Sequence, residues 1–256
     1  MNLNDEHLLR YSRHILLPDV GVAGQTRIAE AAVLVVGAGG LGCPVALYLG
    51  AAGVGRLCLA DGDEIDLTNL QRQIGHATAA IGENKAESLA RCVRAINPEI
   101  TVQAIPRNLS GDALDRAIAG VDLVVDASDN FATRHAVNRA CVVAQKPLVS
   151  GAAIGFSGQL AVFDPREPHS PCYHCLFPAE AGEPEMRCAE SGVFAPLVGI
   201  IGSMQAMEAL KLLAGAGEVQ VGTLLLWDGL RSDMRRLNIL RDPACPVCAQ
   251  RPNQAG

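Results

Sequence analysis

Five apolar, mostly β-branched residues, Ala32-Val33-Leu34-Val35-Val36, run directly into Gly37-Ala38-Gly39-Gly40-Leu41-Gly42. This junction constrains the fold more than any other stretch of the chain. A buried strand that ends in a glycine-rich turn and reopens as a helix begins a βαβ unit. The glycines permit a tight turn and let a phosphate approach backbone N–H groups at the helix N-terminus. Residues 41–52 have the small apolar character of a helix packed closely on a sheet, and residues 57–60 read as a second strand ending at Asp61.

The alternation continues. Residues 83–96 read as a helix stopped by Asn97-Pro98, 101–105 as a strand, 111–119 as a helix and 121–126 as a strand. Residues 130–144 are helical and 147–150 form a fifth strand. This order predicts an α/β fold with a Rossmann-like, doubly wound, mostly parallel sheet. Right-handed crossovers then place the glycine turn, Asp61 and Asp126-Ala127-Ser128-Asp129-Asn130 along one crevice at the strand C-termini. Beyond residue 151 the pattern changes. Residues 158–163 and 223–227 read as strands of a different, antiparallel sheet, separated by a helix over 196–213 that Gly215 caps.

A chain of 256 residues, 49% hydrophobic and 19% charged, builds one sizeable core. Its net charge of −6 argues against a general nucleic-acid binder and confines phosphate sites to local clusters. The apolar stretch 193–204 contains Pro196, Gly199 and Gly202 and is too short to cross a bilayer, so no membrane association is expected. The polar N-terminus MNLNDEHLLR has no signal-peptide core. A cytoplasmic protein is the default expectation.

Taken alone, the glycine turn favours a dinucleotide, and Asp61 suits a ribose hydroxyl. The stretch Asp61-Gly62-Asp63-Glu64-Ile65-Asp66-Leu67-Thr68-Asn69-Leu70-Gln71-Arg72-Gln73 then departs from a dinucleotide site. Asn69, Arg72 and Lys85 offer an amide and two cations just beyond the ribose acid, which is what a triphosphate requires. An ordinary charged surface loop is the plainer reading of the same residues. A carboxylate at Asp129 could hold Mg²⁺ between phosphates, or Asp129 could simply cap the next helix.

Nine cysteines divide into groups. Cys43, Cys58, Cys92 and Cys141 stand amid alanine, valine and leucine and read as small core residues. Cys172-Tyr173-His174-Cys175 and Cys245-Pro246-Val247-Cys248 form two C-x-x-C pairs. If they meet, they make a four-thiolate Zn²⁺ site with no open position, and hence a structural one. The long gap between the pairs leaves unpaired thiols or a redox motif as the alternative. His174 is read as a bystander. Cys188 precedes the helix at Pro196 and follows Arg187, both of which would lower its pKa, though an ordinary exposed thiol fits equally.

At this point the residues resemble a known family. Arg10-Tyr11-Ser12-Arg13-His14, the GAGGLG turn, Leu67 to Gln73, Lys85, Ser128-Asp129-Asn130, both C-x-x-C pairs and Met204-Gln205-Ala206-Met207-Glu208-Ala209 resemble the MoeB/ThiF/HesA adenylyltransferases. These are bacterial relatives of ubiquitin-activating enzymes, and the resemblance covers roughly residues 6–250. It implies ATP and Mg²⁺ rather than NAD, with Zn²⁺ on the four cysteines. The nucleotide set it implies is Gly37, Gly39, Gly40, Gly42, Asp61, Asp63, Thr68, Asn69, Leu70, Gln71, Arg72, Gln73, Lys85, Asp129 and Asn130. Asp129 would serve the magnesium, and Arg13 would reach the phosphates of the other subunit in a homodimer. In some relatives the cysteine matching Cys188 forms a covalent link to the carrier, and others manage without it, so the resemblance implies a thiol role for Cys188 only in part.

The implied substrate is a small ubiquitin-fold sulfur carrier protein ending in Gly-Gly, with a cysteine desulfurase or rhodanese-like protein as sulfur donor. No rhodanese-like extension follows, so the short form is expected, with a helical arm at 1–30, a nucleotide-binding part at 31–150, a carrier-binding and zinc part at 151–250 and a tail at 251–256. Cys188 to Gly199 and Ser150 to Ala153 lean towards the molybdopterin branch, whereas Phe177 to Arg187 and Leu47-Tyr48-Leu49 are as close to the thiamine branch. An NAD(P)-dependent dehydrogenase and a non-catalytic carrier-binding scaffold remain as readings from other classes.

Overall fold

β1 (Ala32–Val36) is buried at every position, as a strand covered on both faces must be. The computed structural model describes residues 3–179 and 192–249. In it β1 pairs in parallel with β2 (Arg56–Ala60) on one side and β4 (Leu123–Asp126) on the other. β3 (Thr101–Ile105) lies outside β2, and β5 (Leu148–Ile154) lies beside β4, both parallel. The chain thus moves outward from β1 to β3 and then crosses back to β4. That reversal opens a crevice at the C-terminal ends of β1 and β4.

The antiparallel strands do not form a second sheet, as the change of pattern suggested. β5 turns through Gly155-Phe156 into β6 (Ser157–Phe163), and β7 (Thr223–Asp228) and β8 (Asp233–Asn238) follow. One eight-stranded sheet runs β3-β2-β1-β4-β5-β6-β7-β8. The two-residue turn makes this continuity cheap, because β6 folds back on β5 with full register from Ile154–Ser157 to Leu148–Phe163. β8 gave no sequence signal, since all six of its residues are exposed.

Two apolar layers cover the sheet. On one face lie α4 (Gly42–Ala51), α5 (Lys85–Ile96) and α9 (Ala195–Ala214), packed over Val33, Val35, Leu57 and Val125. On the other lie α6 (Gly111–Ala119) and α7 (Phe131–Ala144), over Leu34, Val124 and Leu148. α9 matches the helix expected over 196–213 to within one residue at each end. Its 20 residues are long and apolar enough to span a bilayer, yet half are buried against the sheet and α4. Ile201 is fully buried, and Gln205 donates to the Asp126 carbonyl at 2.8 Å, so α9 is a core helix. α8 is the single turn Tyr173–Leu176.

The N-terminal arm comprises α1 (Asp5–Arg10), α2 (Ser12–Ile15) and α3 (Gly21–Glu30). Buried polar contacts pin it to the body. Asn97 Nδ2 donates to Tyr11 Oη at 2.9 Å and to the Gly50 carbonyl at 2.8 Å. Gln25 donates to the Ala52 carbonyl at 2.9 Å and contacts His14 Nδ1 at 3.2 Å.

Candidate active site

Three helices begin at the crevice: α4 after the glycine turn, α5 at Lys85 and α7 at Phe131. Each N-terminus carries partial positive charge and N–H groups that lack helical partners. Between them lies a cleft of about 330 Å³ lined by Gly37, Gly39, Gly40, Asp61, Asp63, Arg72, Gln73, Lys85, Asp129 and Asn130, among others. Gly37 leaves β1 at φ +97°, and a Cβ there would lie 2.7 Å from the Ala127 carbonyl oxygen. Gly42 is not a lining residue. It presses directly on the Gly37 carbonyl, where no side chain fits, and so closes the turn.

Asp61 directly follows β2 and first of all shapes this turn. Its Oδ2 accepts from Ala38 N–H at 2.7 Å and its Oδ1 from Asp63 N–H at 2.9 Å. Burial pushes the Asp61 carboxyl up, and these two amide bonds pull it back. Lys85 is 7% exposed and reaches Asp63 Oδ2 at 2.9 Å. A buried ammonium is costly without a partner, so Asp63 holds Lys85 poised at the cleft wall.

The loop motif has a division of labour that its sequence hid. Asp66 Oδ1 accepts from Thr68 N–H at 2.8 Å and Oγ–H at 2.6 Å, and Asn69 Oδ1 accepts from Asp66 N–H at 3.2 Å. Among the described residues, Thr68, Asn69, Leu70 and Gln71 do not line the cleft. They fold the turn that presents Arg72, whose Nη1 donates to the Thr68 carbonyl at 3.0 Å, and the buried Gln73.

At the end of β4, Asp126 is buried and its Oδ1 accepts from Ser128 N–H at 3.0 Å and Oγ–H at 2.6 Å. Burial raises its pKa. Asn130, not Asp129, caps α7, accepting from Thr133 N–H at 2.8 Å. The capping explanation for Asp129 therefore falls, and its exposed carboxylate faces the cleft. That placement suits a divalent cation beside phosphates.

Sequence reasoning missed three side chains. Arg134 lines the cleft and its Nη2 donates to the Ser128 carbonyl at 2.7 Å. It lies four residues after the Asn130 cap, hence on the same helix face, and that spacing could have flagged it. Asn108 also lines the cleft, its Oδ1 accepting from Gly62 N–H at 3.1 Å. His76 lies beneath the glycine turn, with Nε2 2.9 Å from the Ala38 carbonyl. Arg13 is exposed on α2 and is not a lining residue of its own chain's cleft. Cys188 lies outside the described residues.

The four paired cysteines meet. Their sulfurs all lie within 4.8 Å of one another, with Cys172–Cys175 at 3.9 Å, Cys172–Cys245 at 3.7 Å and Cys175–Cys248 at 3.5 Å. Zinc–sulfur bonds of about 2.3 Å place tetrahedral sulfurs about 3.8 Å apart, so the cluster fits a zinc ion. Cys172, Cys245 and Cys248 are buried. His174 is outside the cluster and packs edge-on against His135. Cys43, Cys58 and Cys141 are buried as expected, and Cys92 is half-buried.

Comparison with known proteins agrees with this geometry. The ThiF family matches residues 11–247. The molybdopterin-synthase adenylyltransferase of Salmonella typhimurium is 45% identical over 248 residues, covering 97% of this chain and 99% of that one. The sulfur carrier protein ThiS adenylyltransferase of Escherichia coli is 46% identical over 246 residues, covering 96% and 97%. The mouse adenylyltransferase and sulfurtransferase MOCS3 is 48% identical over 98% of this chain, which spans about half (54%) of that protein's length. The crystal structure of E. coli MccB with ATP superposes with a TM-score of 0.81 at 25% identity, covering 93% of this chain and 73% of that one. With a family match over nearly its whole length and near-full-length adenylyltransferase relatives, the chain belongs to the ThiF family.

Proposed function

We propose that the protein adenylylates the C-terminal glycine carboxylate of a small ubiquitin-fold sulfur carrier ending in Gly-Gly, preparing it for thiocarboxylate formation. The observation that carries this reading is the convergence of three helix N-termini, Lys85, Arg72 and the exposed Asp129, which does not cap α7, on one cleft. A ribose-binding dinucleotide site has no use for that concentration of charge. The carrier of first choice is the small subunit of molybdopterin synthase, and the thiamine-pathway carrier is the alternative; the adenylyltransferase relatives include proteins named for each.

The carrier carboxylate attacks the α-phosphorus of ATP as the bond to the β-phosphate oxygen breaks, giving acyl-adenylate and pyrophosphate. The attacking carboxylate is already ionised, so no general base is needed. The barrier is mainly the approach of two anions. Arg72, Lys85 and the amides of the glycine turn lower it by holding the phosphates and by stabilising the leaving pyrophosphate. Mg²⁺ on Asp129 would add charge neutralisation there. Arg13, on an arm fixed by Tyr11 and Gln25, would complete the site of a second subunit in a homodimer. The region after residue 151 would hold the carrier, and the zinc site would be structural. A cysteine desulfurase or rhodanese-like protein would supply the sulfur, and the cytoplasm is the compartment this chemistry suits. Cys188 would serve sulfur transfer, which fails as a role if Cys188→Ser transfers sulfur at the full rate.

ATP–pyrophosphate exchange with one carrier from each pathway tests the reading. Exchange that depends on one carrier supports it and identifies the pathway. No exchange with either, together with tight binding of NADH, would overturn it.

A further inference from the structure

His76 belongs to no part of the motif pattern, yet it joins two walls of the cleft. It lies between Arg72 and α5, half-buried under the glycine turn. Its Nε2 is 2.9 Å from the Ala38 carbonyl oxygen and its Nδ1 is 3.1 Å from Ser88 Oγ. A carbonyl oxygen only accepts, so Nε2 bears the hydrogen, and Nδ1 of the neutral ring accepts from the Ser88 hydroxyl. Burial favours that neutral ring, lowering its pKa against the opposing effect of the bond to Ala38.

Both ends of this bridge are informative. Ala38 is the second residue of the glycine turn, and its N–H is already committed to Asp61 at 2.7 Å. The Cys43 thiol, 3.5 Å from the same carbonyl, adds a weak second donor. Ala38 is therefore fixed through both its N–H and its carbonyl, one from each of its flanking peptide groups, while Gly39, Gly40 and Leu41 line the cleft. Ser88 sits three residues after Lys85 on α5, on the same helix face. The imidazole thus spans from the phosphate-facing turn to the helix that carries the buried lysine. It does not itself line the cleft.

We propose that His76 is a positioning residue of the nucleotide site. It holds the glycine turn and the Lys85 helix at a fixed separation, so that the turn's N–H groups and the Lys85 ammonium meet the same phosphates. The proposal rests on reading the cleft as an ATP site.

The test combines carrier-dependent ATP–pyrophosphate exchange, thermal unfolding and ring ¹⁵N NMR on the full chain. The variants are His76→Leu, His76→Gln and Ser88→Ala. The wild-type ring should show hydrogen on Nε2. His76→Leu should raise KM for ATP about tenfold with a smaller change in kcat, and Ser88→Ala should raise it about threefold. His76→Gln, whose amide can donate to Ala38, should recover part of the loss. Hydrogen on Nδ1, an unchanged KM in folded His76→Leu, or no recovery in His76→Gln would each overturn the proposal. If His76→Leu does not fold, an unchanged KM in Ser88→Ala does the same. Absence of saturable ATP dependence in the wild type sinks the nucleotide reading itself and the proposal with it. That outcome is distinct from normal wild-type kinetics with an indifferent His76.

Discussion

The parallel half of the sheet and its antiparallel extension hold themselves together by opposite means. The cleft at the end of β1, β2 and β4 is a convergence of separate elements: a turn, a loop and three helix ends, braced by several independent hydrogen bonds. The cysteine cluster is a single node, in which Cys172 and Cys175 meet Cys245 and Cys248 across 73 residues of chain. A convergent site loses one contribution when one side chain changes, and the frame survives. A single node fails as a unit. Catalysis and stability should therefore separate cleanly between the two regions.

The largest effect expected is at Asp129. Asp129→Ala should abolish carrier-dependent ATP–pyrophosphate exchange while the thermal midpoint stays close to wild type, because Asn130 still caps α7. Retained exchange would break the assignment of Asp129 to the cation. Next comes Cys245→Ser, for which about 4 kcal/mol of unfolding free energy or more should be lost in denaturant titration, as for other losses of a bound metal. Metal analysis should find less zinc in the variant than in the wild type, as a four-thiolate zinc site requires. A variant of wild-type stability would mean that the cluster is not a structural node. Lys85→Met should reduce exchange about 10²-fold with little change in stability, since its partner Asp63 is exposed and the ion pair contributes little to folding. A loss of less than about threefold would shift the phosphate contact to Arg134.

The smallest effect concerns pH and Asp126. Burial raises its carboxyl above the usual 3.8 in the folded chain. The stability contributed by the protonated form is present below that value and is lost as pH rises through the folded pKa. Asp126→Asn cannot ionise. Its stability relative to wild type should therefore increase from about pH 4 to about pH 7, as followed by urea unfolding. A constant difference would show that Asp126 is already ionised in the fold at the lower pH.

β1, β2 and β4 were legible because they are buried on both faces, which writes them as apolar runs. β8 was not legible, because no face of it is buried. Nor was the continuity of the sheet, which depends on how tightly β6 returns on β5 rather than on composition. Within the site, residue identities were easier to read than roles. Asp61 looked like a ribose ligand, yet both its oxygens hold backbone amides. Asp129 read as either a cation ligand or a helix cap until one hydrogen bond assigned the cap to Asn130. His76 had no signature, because its partners are a carbonyl 38 residues away and a hydroxyl 12 residues away.

One helix connects the two regions. α7 starts beside Asp129, and its Asn138 donates to Cys172 Sγ at 3.6 Å and accepts from Tyr173 N–H at 2.9 Å. From Asn130 to Asn138 is eight residues, about 12 Å along a helix. A rigid strut of little more than two turns thus runs from the sulfur node to the phosphate edge. The four-cysteine cluster braces the far end of the same beam whose near end presents Asp129.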